Sequence, residues 1–144
     1  MNLSNILRGK PAGFFHVAPT TQIRDVVAML AEKVIGAVLV LGPEGELVGI
    51  LSERDIVRRL AKEAGHTLDL LASDLMTPNP TTATPETTVE QAMEVMTDRH
   101  FRHLPLVEKG KLLGLVSIGD VVKARIEQHQ HEVESLRTYV GGRV

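Results

Sequence analysis

The sequence writes one pattern twice, and that duplication constrains the fold more than any other feature. "GILSERDIVRRL" runs from Gly49 to Leu60 and "GLVSIGDVVKAR" from Gly114 to Arg125, with Gly, Ser and Asp each displaced by the same 65 positions. Upstream, "VAPTTQIRDVVAMLAEKVIGAVLVL" from Val17 aligns with "ATPETTVEQAMEVMTDRHFRHLPLV" from Ala83 at a shift of 66. The lost residue falls in the turn where "GPEGE" becomes "EKGK".

Periodicity assigns the elements of each copy. Ile23, Val26, Val27, Leu30 and Val34 mark one helical face by i, i+3, i+4, i+7, i+11 spacing, and Val89, Ala92, Met93, Met96 and His100 repeat it. Each helix opens at a turn, Pro19-Thr20-Thr21 or Pro85-Glu86-Thr87, and Thr87 with Glu90 has capping-box spacing. A hairpin follows: Ala37 to Leu41 and Leu47 to Leu51 around Gly42-Pro43-Glu44-Gly45, then Leu104 to Val107 and Leu112 to Val116 around Lys109-Gly110. Pro105 cannot donate a ladder bond, which predicts an edge or a bulge in its strand. The unit therefore reads strand, helix, two strands, helix, preceded by a short helix at Leu3 to Leu7 or Leu71 to Met76. A unit of about 60 residues cannot cover both faces of its own sheet, so the two copies are expected to pack together.

Composition excludes whole classes of chemistry. The 144 residues contain no cysteine, which removes disulfides, thiolate nucleophiles and Cys-ligated zinc. A net charge of −2 and 3% aromatic residues argue against nucleic acid, which demands a basic face and often stacking rings. The opening "MNLSNILRGKPAGFF" has no uninterrupted apolar core, and no later run approaches the roughly 20 apolar residues that span a bilayer. The expectation is a cytoplasmic protein without a membrane segment.

The tandem β-α-β-β-α unit, with "GAVLV" or "RHLPLV" leading into a hairpin that exits through "GILSERD" or "GLVSIGD", resembles a pair of CBS domains, a Bateman module. The resemblance extends from about Leu3 to about Arg125. It implies a mixed α/β (α+β) fold of two units, 1–66 and 67–125, related by a pseudo-two-fold axis, with a helical extension over 126–144. It also implies a regulatory module that binds AMP, ADP, ATP, NAD or S-adenosylmethionine in the clefts between paired units, and no catalysis.

The residues make chemical sense of such a ligand. A strand ending in Ser52 and turning into a helix offers outward N–H groups and a hydroxyl to phosphate, and Asp55 offers an acceptor-only carboxylate to a pair of ribose hydroxyls. Ser117 and Asp120 repeat the arrangement. Ser-x-x-Asp is equally an N-cap with an acidic first turn, and the two roles are compatible. By the family resemblance, Arg102 and His103 reach phosphate oxygens, including those of a nucleotide held mainly by Ser52 and Asp55. The corresponding Gly36 and Ala37 carry no charge, and Arg54 stands where the second copy has Gly119. One site is therefore expected to bind better than the other. The resemblance further assigns adenine to a slot made by Gly36, Ala37, Val38 and Pro105, with main-chain groups near Val17 and Ala83 reading its edge.

Catalytic and metal constellations are weak. His100 and His103, or His129 and His131, do not make a convincing metal pair. "LVSIG" and "ILSER" lack the G-x-S-x-G elbow of a nucleophilic serine, and Glu53 with Asp55 has no partner to split their pKa values. No enzyme is expected.

The segment after the second copy reads as one helix, with Val122, Ile126, His129, Val133, Leu136 and Val140 spaced four, three, four, three, four, closed by Gly141-Gly142. That stripe suits a partner helix and predicts a homodimer; covering an open face of its own sheet is the other use. Two readings of function stand: an adenine-nucleotide sensor acting on dimer geometry or on an unidentified effector protein, and a ligand-free structural or interaction module.

Overall fold

The computed structural model describes residues 1–11 and 13–141. In chain order the elements are α1 (Leu3–Arg8), β1 (His16–Val17), α2 (Ile23–Lys33), β2 (Ala37–Leu41), β3 (Leu47–Ser52), α3 (Glu53–Lys62), a 3₁₀ turn (Thr67–Asp69), α4 (Ala72–Leu75), β4 (Thr77–Pro78), α5 (Val89–Arg99), β5 (His103–Glu108), β6 (Lys111–Ser117) and α6 (Ile118–Gly141). The chain divides into two compact units. One holds Gly13–Thr81 with Lys109–Leu113; the other holds the segment before Gly13, Thr82–Glu108 and the chain from Gly114 onward. Sequence repeats and compact units are thus different partitions of the chain.

In the unit of the first copy, β1 runs parallel to β2, β2 pairs antiparallel with β3, and β3 with β4. The apolar faces of α2 and of the sheet meet in a core of Val17, Ile23, Val26, Leu30, Val38, Val40, Leu51, Ile56 and Ala72. The expected face of α2 is too wide. Val34 leaves the helix in the left-handed region at φ 53° and is 88% exposed, and Val27 also faces solvent. His100 stops α5 in the same way at φ 59°, so the eleventh-residue step is a helix exit in both copies.

β5 pairs with β6, and in the other unit, which holds β5 and β6 from Gly114 onward, Val89, Ala92 and Met96 of α5 are buried, as are Leu104, Leu106, Val116, Val121 and Ala124. Pro105 lies in a strand of a two-stranded sheet, the edge position its missing N–H predicts. Its carbonyl accepts from Ala83 N–H at 2.9 Å, so its missing N–H lies on that same side, away from the ladder with β6. The capping box of α5 sits one residue later than its spacing predicts. Thr88 is the N-cap and exchanges bonds with Gln91 at 2.9 and 3.1 Å, while Thr87 Oγ1 accepts from Thr84 N–H within the preceding turn.

The two short helices dock alike, each in its own unit. Ala72 and Ser73 N–H donate to Thr21 and Pro19 carbonyls, as Leu3 and Ser4 N–H donate to Thr87 and Pro85. Helix α4 therefore closes the unit of the first copy, and α1, from the far end of the chain, takes the equivalent place in the other. Helix α6 is continuous, as its stripe predicts; Gly142, expected to close it, lies outside the described residues.

Candidate functional site

Each unit assembles its own half of the sequence-predicted residues at the point where a strand becomes a helix. In the first, Ala37 lies opposite Ser52 across the β2–β3 ladder, and Glu53 N–H donates to the Gly36 carbonyl at 2.9 Å. Ala37 and Val38 are buried, Gly36 and Ser52 half-buried, and buried Val17 pairs with Val40. Arg54 stands exposed on the first turn of α3. In the second, Ile118 N–H donates to the Arg102 carbonyl at 2.8 Å, which makes Arg102 the counterpart of Gly36. Arg102 is exposed, His103 is half-buried at the start of β5, and Ala83 bridges β5 by donating to Pro105 and accepting from Val107 N–H at 2.8 Å.

Both Ser-x-x-Asp motifs are capping boxes. Ser52 N–H and Oγ donate to Asp55 Oδ2 at 2.9 and 3.0 Å, and Asp55 N–H donates back to Ser52 Oγ at 3.3 Å. Ser117 N–H donates to Asp120 Oδ2 at 3.0 Å, and Asp120 N–H to Ser117 Oγ at 3.1 Å. The helix starts are therefore less open than the sequence implies. The first helical N–H serves a carbonyl and the third serves the cap, so the helix start is not an empty phosphate cradle.

The boxes differ in one partner that the repeat does not reveal. Lys10 Nζ donates to Asp120 Oδ2 at 2.8 Å and to the Leu115 carbonyl at 2.9 Å. Burial pushes the Asp120 carboxyl up, but the bonds from the Lys10 ammonium and from Ser117 N–H outweigh it and hold the group below the usual carboxylate range. The docked segments align at a shift of 69, Leu3 with Ala72 and Ser4 with Ser73, so the place of Lys10 falls on Asn79 in the first unit. That segment brings a cation to Asp120 and a neutral amide to the neighbourhood of β3, where Asn79 N–H donates to the Val48 carbonyl.

The glycines that open the two motifs belong to the same docking. A Cβ at Gly49 would stand 2.5 Å from Met76 Sδ and 3.0 Å from the Thr77 carbonyl; one at Gly114 would stand 2.9 Å from Leu7 Cδ2. Among the described residues no group of His, Asp and Glu is placed to hold a metal ion, and no helix is long and apolar enough to cross a membrane.

Comparison with known proteins names the class. The CBS domain family model matches residues 12–62 and 72–127, and the chain belongs to that family as a tandem CBS pair. A CBS-domain protein of Agrobacterium tumefaciens superposes with a TM-score of 0.84 at 38% identity, over 86% of this chain and 92% of that one. The CBSX2 protein of Arabidopsis thaliana, solved in complex with AMP, gives 0.73 at 29% identity over 89% and 98%. The mitochondrial CBS domain-containing protein CBSX3 of the same plant is 36% identical over 124 residues, 83% of this chain; the match spans 60% of that relative's length.

Proposed function

We propose that the chain is an adenine-nucleotide-binding regulatory module, acting as a homodimer on an unidentified effector protein, and that Asp55 carries its main ribose site. The observation that supports this is the unequal treatment of the two carboxylates. Asp120 is already charge-paired with Lys10, whereas Asp55 is held by Ser52 in the geometry of a preorganised acceptor. A ribose diol arriving at Asp120 must displace an ammonium; at Asp55 it meets a carboxylate whose orientation is fixed in advance. Arg54 stands one residue away on the exposed side of α3, a guanidinium within the same helical turn for a phosphate. Gly36, Ala37, Val38 and the backbone near Val17 form the adenine side of this site, and Ala83, Arg102, His103, Pro105, Ser117 and Asp120 form the weaker one. The AMP complex of CBSX2 makes AMP the first ligand to test, with ADP, ATP, NAD and S-adenosylmethionine beside it.

Calorimetry on Asp55→Asn and Asp120→Asn tests the reading. The Asn amide oxygen can still accept from Ser52 or Ser117 N–H as the carboxylate does in the capping box, but Asn lacks the charge and one acceptor. Asp55→Asn should lose about 10- to 150-fold in AMP affinity with little change in unliganded stability, and Asp120→Asn should lose less. Absence of a thermal response to every adenosine compound would instead leave a ligand-free interaction module.

A further inference from the structure

Helix α6 outruns the rest of its unit. At 24 residues it is about 36 Å long, and its buried residues Val121 and Ala124 lie in its first two turns. Half-buried Gln128 continues that face, and Arg125 pairs with Glu90 of α5 at 3.7 Å. From His129 to Tyr139 every residue is exposed except half-buried Val133. The apolar stripe lies on another face. Val122, Ile126 and Leu136 are 41%, 53% and 64% exposed, and a shallow groove of about 540 Å³ runs along the same face past Ile118, Val122, Lys123 and Ile126. A solvated helix of this length gains little from propensity alone and needs a packing partner.

We infer that this partner is a second copy of the same helix, and that the two α6 helices pair in parallel and in register as a short coiled coil; the inference rests on the homodimer reading above. The heptad assigns Ile126 and Val133 to a and Val122, His129 and Leu136 to d. Both a positions are β-branched, as in parallel two-stranded coils, and one of the three d positions, Leu136, carries the Leu that goes with them. Charge points the same way. In parallel, Glu132 at g meets Arg137 of the partner subunit at e; antiparallel pairing sets Lys123 against Arg137 of the partner subunit and Glu132 against Glu132 of the partner subunit. His129 supplies one polar layer at a d position of the seam, at a cost in stability.

The chain has no cysteine, so single introduced thiols report the geometry directly. Full-length Leu136→Cys and Ile126→Cys proteins are oxidised separately and as a mixture, and the mass of the reduced protein is read by light scattering. A dimeric mass with each variant cross-linking to itself supports the parallel coil. Cross-linking only in the mixture makes the pairing antiparallel and overturns it. A dimeric mass with no cross-link moves the dimer to another surface: the coil falls and the homodimer stands. A monomer at about 100 μM removes both. Leu136→Lys, at an exposed position that leaves the single chain folded, should weaken dimerisation about 30- to 100-fold, and His129→Leu should strengthen it.

Discussion

At Val34 the backbone turns left-handed while carrying a β-branched side chain that touches almost nothing, so the residue holds strain without packing to offset it. Val34→Gly should therefore stabilise the chain, by about 1 kcal/mol, in a denaturant titration. Lys10 is the converse, a residue whose exposed appearance in sequence hides a specific bond. Because Asp120 titrates below its unfolded value, the pair contributes stability above the ordinary carboxyl pKa of about 3.9 and loses it as pH falls through the lowered folded value. With side chains 36% and 27% exposed, solvent screens the pair, and Lys10→Met should cost about 0.5–1 kcal/mol at neutral pH. The difference between the two proteins should vanish in acid below that folded value; a difference that persists there would assign the cost to the Leu115 bond or to packing of the Lys10 stem.

The strands and long helices were legible because period and turn chemistry leave residue-level marks. Ala37–Leu41 is found where its short β-branched and Leu-rich run closed by a Gly/Pro turn puts it, and the ends of the other strands move by a residue or so. The Ser-x-x-Asp motifs were legible as local geometry, while the adenine side rests on backbone groups that any side chain tolerates. What stayed hidden is the exchange of short helices. It is made by main-chain bonds at a shift of 69 against a repeat of 65 or 66, and main-chain bonds select no residue type. Its one trace is the glycine pair, quoted as the start of each motif but unexplained until Met76, Thr77 and Leu7 are seen against it. The two glycines should then differ. At Gly49 an added methyl meets a backbone carbonyl as well as a side chain, and Gly49→Ala should cost about 1–3 kcal/mol. At Gly114 it meets only the end of a leucine, which can move, so Gly114→Ala should cost less than Gly49→Ala in the same thermal unfolding series.

The family match begins at residue 12, so by similarity alone α1 looks like a dispensable leader. Its bonding says otherwise. Leu3 is fully buried, the chain from Asn2 to Ser4 is stitched to Pro85, Thr87 and Thr88, and Lys10 ties the same segment to the start of α6. The second copy is complete only when the chain's own beginning returns to it, whereas the first carries its closing helix α4 in sequence. This asymmetry makes a definite prediction. Leu3→Ala should cost about 2–5 kcal/mol, the cost of a cavity in a closed core, although it lies outside the matched residues. Deleting residues 1–11 should cost at least as much and should raise hydrogen exchange first at Val89 to Met96 and Val121 to Ala124. The Asp55 carboxylate, in the other unit, should keep its capping box through that loss, and AMP affinity per folded molecule should hold. Loss of protection confined to residues 13–81 would mean that α1 supports the first copy instead.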